Sequence, residues 1–318
     1  MTLLNHWFVR RRGMAMGLAM VGMSIGALVL VPVIAWLINP DADRLGWRRT
    51  AEILAAVVLV SAIILPKLIR NKPEDVGEHP DGELRPGVDP DASEDEIGSP
   101  VVAAATIEGA QQPEQELELT IGQALRTQAF WCISFGHGLG SMVVLAIMSQ
   151  LGLLLGDVGY GVQTTAWVIT VQTAVALMFQ FLGGWLGDRI PKNVALFIFT
   201  GIQGLGVVFL TLGASLIYFY AFAVLFGIGF GGRTPLTTAI RGDYFGRASF
   251  GKILGISMVP MNILLLISAP MAGFMRDELG DYHMAFLLLA GLNLLGAVLF
   301  LIARKPKLPV LVRAEAVA

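Results

Sequence analysis

The sequence predicts an all-α membrane protein with eight transmembrane helices, and three observations carry that expectation. Of 318 residues, 55% are hydrophobic and 14% are charged, against roughly 25% charged in an ordinary soluble domain, which leaves too little polar surface for a soluble shell. The apolar residues fall into repeated long runs, each matching the ~20 residues that cross a hydrocarbon core. The basic residues gather in alternate connections between those runs. No run alternates with the period of two that a barrel strand requires, so helices are expected.

The expected spans run from Met14 to Ile38, Thr50 to Leu68, Phe130 to Leu155, Val162 to Leu186, Val194 to Leu212, Ile217 to Ile240, Ile253 to Met275 and Met284 to Ala303. Connections 39–49, 156–161, 213–216 and 276–283 share one side, and the other loops and both termini share the opposite side. The first set holds Arg44, Arg48, Arg49 and Arg276; the second holds 17 basic residues, among them Arg10, Arg11, Arg12, Arg189, Lys192 and Arg241; Arg233 alone lies inside a span. The positive-inside rule then places both termini and the 71–125 loop in the cytoplasm.

Loop 71–125 is of different material. It carries 14 of the 24 acidic residues and six of the 15 prolines, with only Lys72 and Arg85 as bases. Such a stretch buries too little apolar surface to offset its ordering entropy, so an acidic disordered cytoplasmic linker is expected. The resulting organisation is 1–70 as the remainder of an N-terminal helix bundle with two spans, then the linker 71–125, a C-terminal six-helix bundle at 126–305 and a cytoplasmic tail at 306–318. The basic excess outside the linker is accounted for by a membrane face beside anionic lipid and needs no nucleic acid. One cysteine, Cys132, gives no disulfide framework and no metal cluster.

An internal repeat links the two ends of the chain. Gly13, Gly17 and Pro32 recur as Gly251, Gly255 and Pro270 at one offset, and Trp7-Phe8 is echoed by Tyr244-Phe245. In the C-terminal bundle four spans precede the repeated unit. Their counterparts in the N-terminal half are expected upstream of residue 1, so that a complete protein would have twelve spans in two halves.

The segment Gly183-Gly184-Trp185-Leu186-Gly187-Asp188-Arg189-Ile190-Pro191-Lys192-Asn193 resembles the signature loop of the major facilitator superfamily, with Pro191 and Asn193 as departures. Trp7-Phe8, Arg11 to Gly17, Gly46-Trp47-Arg48, and Pro73 to Gly77 followed by Pro80-Asp81-Gly82 are similar to the oxalate/formate antiporter and monocarboxylate transporter branch. The resemblance implies a major facilitator fold lacking about four N-terminal helices. It also implies a conformational latch at Gly184, Asp188 and Arg189, with Asp188 meeting the start of the helix at Gly13–Met14. The alternative for that loop is a solvated turn that fixes topology only.

Candidate substrate residues follow from polarity inside the spans. Arg233 lies eight residues from Arg241, expected at the cytoplasmic interface, and thus near the midplane, where an unpaired charge is costly. Gly227, Gly229, Gly231, Gly232 and Pro235 surround it and are expected to loosen the helix. It either attracts the carboxylate of an anionic substrate or is a structural arginine bonded to carbonyls or to an acid elsewhere. His137 is a candidate proton or anion ligand, or a helix-packing histidine. Gln150, Gln172, Gln180, Thr234, Thr238 and Asn262 either line a pathway or join helices. Trp131, Trp167, Trp185, Phe130 and Tyr218 are expected as interfacial anchors.

Asp188 and Asp243 are expected in cytoplasmic loops without a nucleophile or paired histidine, and the glycine run 227–232 lacks the context of a phosphate loop, so no enzyme is expected. No cofactor and no metal is expected. By this resemblance the chain is a secondary transporter of small organic anions, mono- or dicarboxylates, working by alternating access in the bacterial inner membrane. The alternatives are a proton-coupled exporter of neutral solutes or drugs, and a non-transporting membrane fragment or sensor. The oligomeric state is left open.

Overall fold

The computed structural model describes residues 2–38, 45–70, 73–77, 81, 119–280 and 282–306. Most of the acidic linker and residues 307–318 of the tail lie outside the described residues. Every regular element among the described residues is helical: α1 (Thr2–Trp7), α2 (Arg12–Ile38), α3 (Gly46–Leu68), a 3-10 turn at Pro73–Val76, α4 (Ile121–Leu125), α5 (Gln128–Asp157), α6 (Val162–Gly187), α7 (Lys192–Phe209), α8 (Leu216–Phe245), α9 (Phe250–Ser257), α10 (Val259–Leu279) and α11 (His283–Ile302). Seven segments among them are long and apolar enough to cross a membrane: α3, α5, α6, α7, α8, α9 with α10, and α11. The count of eight included α2, a helix of 27 residues that is not among those seven.

The chain divides into two compact units. One holds Met1–Asn5, Arg10–Leu18 and Glu116–Ala318; the other holds His6–Val9 and Ala19–Gln115. In the second unit the Trp7 indole donates to the Arg70 carbonyl at 3.0 Å, and the Val9 N–H donates to the Asp81 carboxylate at 3.0 Å. Most apolar side chains of α3 are exposed, Val57, Val58 and Leu59 among them.

In the first unit the long helices pack in the order α6, α8, α7, α11, α5, α10. Thr120 starts α4 with a capping box: its side chain accepts from the Gln123 N–H, and the Gln123 side chain accepts from the Thr120 N–H. Thr127 caps α5, its hydroxyl accepting from the Phe130 N–H at 3.2 Å. Two apolar clusters fill the interior. One is built from Val143, Ile147, Leu151, Phe219, Phe222, Phe226 and Phe286. The other is built from Phe130, Ile133, Leu196, Phe199, Leu236, Ile240 and Phe300. Along α5, α7, α8 and α11 the residues between these clusters include Gly140, Thr200, Gln203, Arg233 and Asn293. The buried polar side chains Thr200, Gln203, Arg233 and Asn293 therefore share a middle layer, sealed at each end by apolar side chains.

Three expectations require correction here. Helix α8 runs on to Phe245, past the expected end at Ile240, so Arg241 and Asp243 are helical, and Arg241 is fully buried among its neighbours. The glycine run of α8 does not loosen it. A Cβ at Gly229 would meet the Phe199 carbonyl oxygen at 2.4 Å, and one at Gly231 would meet the Ala176 carbonyl oxygen at 2.3 Å. These glycines let α7 and α6 pack backbone to backbone on α8. The interruption falls one span later, at Met258 between α9 and α10, where Pro260 has no N–H for the ladder. Phe130 is buried in the core, unlike the exposed Trp131, Trp167 and Trp185.

Candidate functional site

Helices α5, α8 and α10 border an open cavity of about 300 Å³ lined by Ser141, Val144, Leu145, Met148, Phe230, Arg233, Met261 and Leu265. Arg233 is the one charged residue of that lining. Its Nε donates to Oε1 of Gln203 on α7 at 2.6 Å, and Gln203 Nε2 donates to the Gly140 carbonyl on α5 at 3.2 Å. A Cβ at Gly140 would lie 3.1 Å from the guanidinium carbon, so glycine there leaves the room that the guanidinium fills. The Phe230 ring lies 5.8 Å from that carbon. Among the described residues no further hydrogen bond reaches the two terminal amino groups of Arg233, and no carboxylate pairs with it. The planar guanidinium thus keeps two terminal amino groups without a hydrogen bond among the described residues, donors of the kind that pair with a carboxylate.

The other expected substrate residues do not converge on Arg233. Nδ1 of His137 lies 3.4 Å from Nη2 of Arg241, whose Nε donates to Ser257 Oγ at 2.7 Å and whose Nη1 bonds the Thr237 carbonyl. An arginine cannot accept, so Nδ1 is the acceptor and the ring is neutral in this contact. Gln150 accepts from the Tyr282 hydroxyl at 3.2 Å near the far end of α5. Gln172 is buried and accepts from Thr173 at 3.4 Å. Thr234 follows Arg233 in sequence but returns its hydroxyl to the Phe230 carbonyl at 2.6 Å. Asn262 is exposed on α10. The residue most closely tied to Arg233, Gln203, was not singled out from sequence, although a glutamine in the middle of an apolar span is a readable signal.

A second polar assembly lies at the signature loop. The carboxylate of Asp188 accepts from the backbone N–H groups of Gly13 and Met14, both at 2.8 Å, and so sits on the N-terminus of α2. Gly184 lies against Gly13 so closely that a Cβ would stand 2.3 Å from the Gly13 carbonyl oxygen. Lys192 bridges Asp188 at 3.5 Å and Asp243 at 2.7 Å, and Asp243 pairs with Arg12 at 3.1 Å. Arg189 is not part of this chain of charges: its guanidinium stacks on Trp185 at 3.6 Å and donates to the Trp185 carbonyl.

Comparisons with known proteins place the chain in a family. The family model described as Major Facilitator Superfamily matches residues 1–161 and 130–317. Monocarboxylate transporter 12-B of Danio rerio is 26% identical over 308 residues, covering 94% of this chain and 62% of that protein. Monocarboxylate transporter 11 of Homo sapiens is 28% identical over 318 residues, covering 94% of this chain and 58% of that protein. The chain thus spans about 60% of the length of the curated relatives it matches. Among solved structures, the Escherichia coli fucose:proton symporter superposes with a TM-score of 0.64 at 15% identity, covering 96% of this chain and 72% of that one. At that identity the likeness speaks for the fold.

Proposed function

This chain belongs to the Major Facilitator Superfamily and is a multi-pass membrane protein, and on that premise we propose that it serves in moving small monocarboxylate anions across the membrane by alternating access. One observation carries the reading: buried Arg233, whose terminal amino groups carry no hydrogen bond among the described residues, lines a cavity whose remaining lining is Ser141 and apolar side chains. A single unpaired cation neutralises one carboxylate, and the apolar wall suits a cargo with a hydrophobic body. A dicarboxylate would bring its second charge against Val144, Leu145 and Met148 without a partner, at a desolvation cost. The names of the monocarboxylate transporters it resembles support the same class.

In this reading α2 is an eighth span, since no charged residue follows Arg12 within its 27 residues. The signature-loop side is the cytoplasmic face of the plasma membrane, as the placement of basic residues supports. The Asp188 assembly is the latch that closes this face, and the acidic segment beyond α3 is a tether between the two helix bundles.

The test is uptake into proteoliposomes of radiolabelled benzoate, pyruvate and succinate. The expected order is benzoate above pyruvate above succinate, with R233Q lowering monocarboxylate uptake about tenfold or more while the protein remains folded, as loss of a charge-assisted fork implies. Uptake of benzoate by R233Q at the wild-type rate sinks the reading.

A further inference from the structure

Arg233 is held by a neutral side chain, although most buried cations in proteins are held by acids. Gln203 is fully buried on α7 and touches both neighbours of the cavity: its carbonyl oxygen takes the Arg233 Nε proton at 2.6 Å, and its amide donates to the Gly140 carbonyl at 3.2 Å. The contact is enforced by backbone packing. A Cβ at Gly229 would stand 2.5 Å from the Gln203 backbone nitrogen and 2.6 Å from its Cβ. Gln203 is therefore pressed against α8 one turn before Arg233, where its amide reaches the guanidinium from behind. The bond engages Nε and leaves both terminal amino groups without a hydrogen bond among the described residues, on a side chain that lines the cavity.

We infer that Gln203 is a positioning residue for anion recognition, one that fixes the Arg233 guanidinium while leaving its positive charge uncompensated. This rests on the reading of Arg233 as the carboxylate receptor. A glutamate at the same place would form an equally short and stronger bond to Nε, and with it a neutral pair with no remaining pull on a carboxylate. Amide and carboxylate are nearly the same shape, so the differences between them are charge and the loss of the donor to the Gly140 carbonyl. Gln203 thus decides whether Arg233 acts as an anion site or as one member of an internal ion pair. Its loss to an apolar residue has a different consequence, since the charge remains and only its aim is lost.

The experiment compares wild type, Q203E, Q203M and R233Q in proteoliposomes, with benzoate as the probe, together with thermal melting of each purified protein with and without benzoate. Q203E is expected to stay folded and to melt close to wild type, its ion pair with Arg233 offsetting the lost bond to the Gly140 carbonyl, while its KM for benzoate rises about tenfold or more, as removal of an ionic partner implies. Q203M is expected to raise KM about threefold to tenfold with little change in kcat, the signature of weakened ground-state binding. A merely structural glutamine predicts the opposite pattern, a lowered melting temperature with KM unchanged. Wild-type KM in a stably folded Q203E overturns the inference, and if Q203E does not fold, wild-type KM in Q203M does so. R233Q separates the two claims. Unchanged benzoate handling in R233Q, or a wild type that benzoate neither crosses nor stabilises, overturns the Arg233 reading itself; a disabled R233Q beside a wild-type-like Q203E overturns only the role of Gln203.

Discussion

Asp188 holds the first turn of α2 by its backbone: one carboxylate oxygen accepts the Gly13 N–H and the other the Met14 N–H, both at 2.8 Å. Two of the four N–H groups that open any helix are thereby satisfied by one side chain, and its charge lies on the positive end of the helix. Replacing Asp188 by alanine leaves both donors without this acceptor. D188A is expected to destabilise this junction by about 1–2 kcal/mol, the range for a partly buried carboxylate at a helix start. D188N, which retains one acceptor without the charge, is expected to fall between. Thermal melting in detergent orders the three proteins, and equal melting of D188A and wild type refutes the assignment.

The same junction depends on the absence of side chains. A Cβ at Gly184 would stand 2.3 Å from the Gly13 carbonyl oxygen, and one at Gly13 would stand 2.5 Å from the Gly184 carbonyl oxygen. These are two views of one backbone contact, so the penalties are not independent. G13A and G184A are each expected to cost about 1–3 kcal/mol, as overpacking does, and the double variant is expected to cost clearly less than their sum. A double-mutant cycle on melting data decides it, and strict additivity shows that the two glycines act separately.

How much of this was legible in the sequence differs between layers. The spans were readable because lipid demands long apolar runs, and seven segments among the described residues fall close to expected ones. The Gly183–Asn193 motif carried the family resemblance, and the matched family is the one it pointed to. Side-chain partners were not readable. Arg241 was expected just past the end of its span because charge usually ends one, yet α8 continues to Phe245 and buries it against Ser257 and His137. Nothing local in the sequence tells that three neutral acceptors on α5, α8 and α9 meet around one guanidinium. Gln203 was missed for a related reason: its meaning comes from Arg233, thirty residues away on the neighbouring helix.

Arg241 yields a prediction opposite in kind to that for Arg233. Its three nitrogens serve Ser257 Oγ, the Thr237 carbonyl and His137 Nδ1, so it ties α8 to α5 and α9. Lysine has a single ammonium and cannot span that set of acceptors. R241K is expected to lower stability by about 1–3 kcal/mol through the unsatisfied buried groups it leaves, and S257A is expected to cost a smaller amount in the same range. Melting temperature is the readout. A fully stable R241K shows that the three contacts are incidental.

Lys192 and Arg189 flank the same loop, and the structure ranks them against the motif's appearance. Arg189 is the base that adjoins Asp188 in sequence, but its guanidinium lies on Trp185 at 3.6 Å and makes no ion pair in the assembly. Lys192 stands between Asp188 and Asp243, and Asp243 in turn holds Arg12. Removing Lys192 leaves two carboxylates facing each other with one base fewer, whereas removing Arg189 forfeits a stacking contact at an exposed site. K192A is therefore expected to lower stability by about 1 kcal/mol or more, since these carboxylates are only partly solvated. R189A is expected to change it by less than about 0.5 kcal/mol. The two effects also part with salt. The K192A deficit shrinks as ionic strength rises, because the repulsion it uncovers is screened, while the small R189A effect stays constant. Melting both variants across a salt series measures the ranking directly, and an R189A deficit larger than that of K192A overturns it.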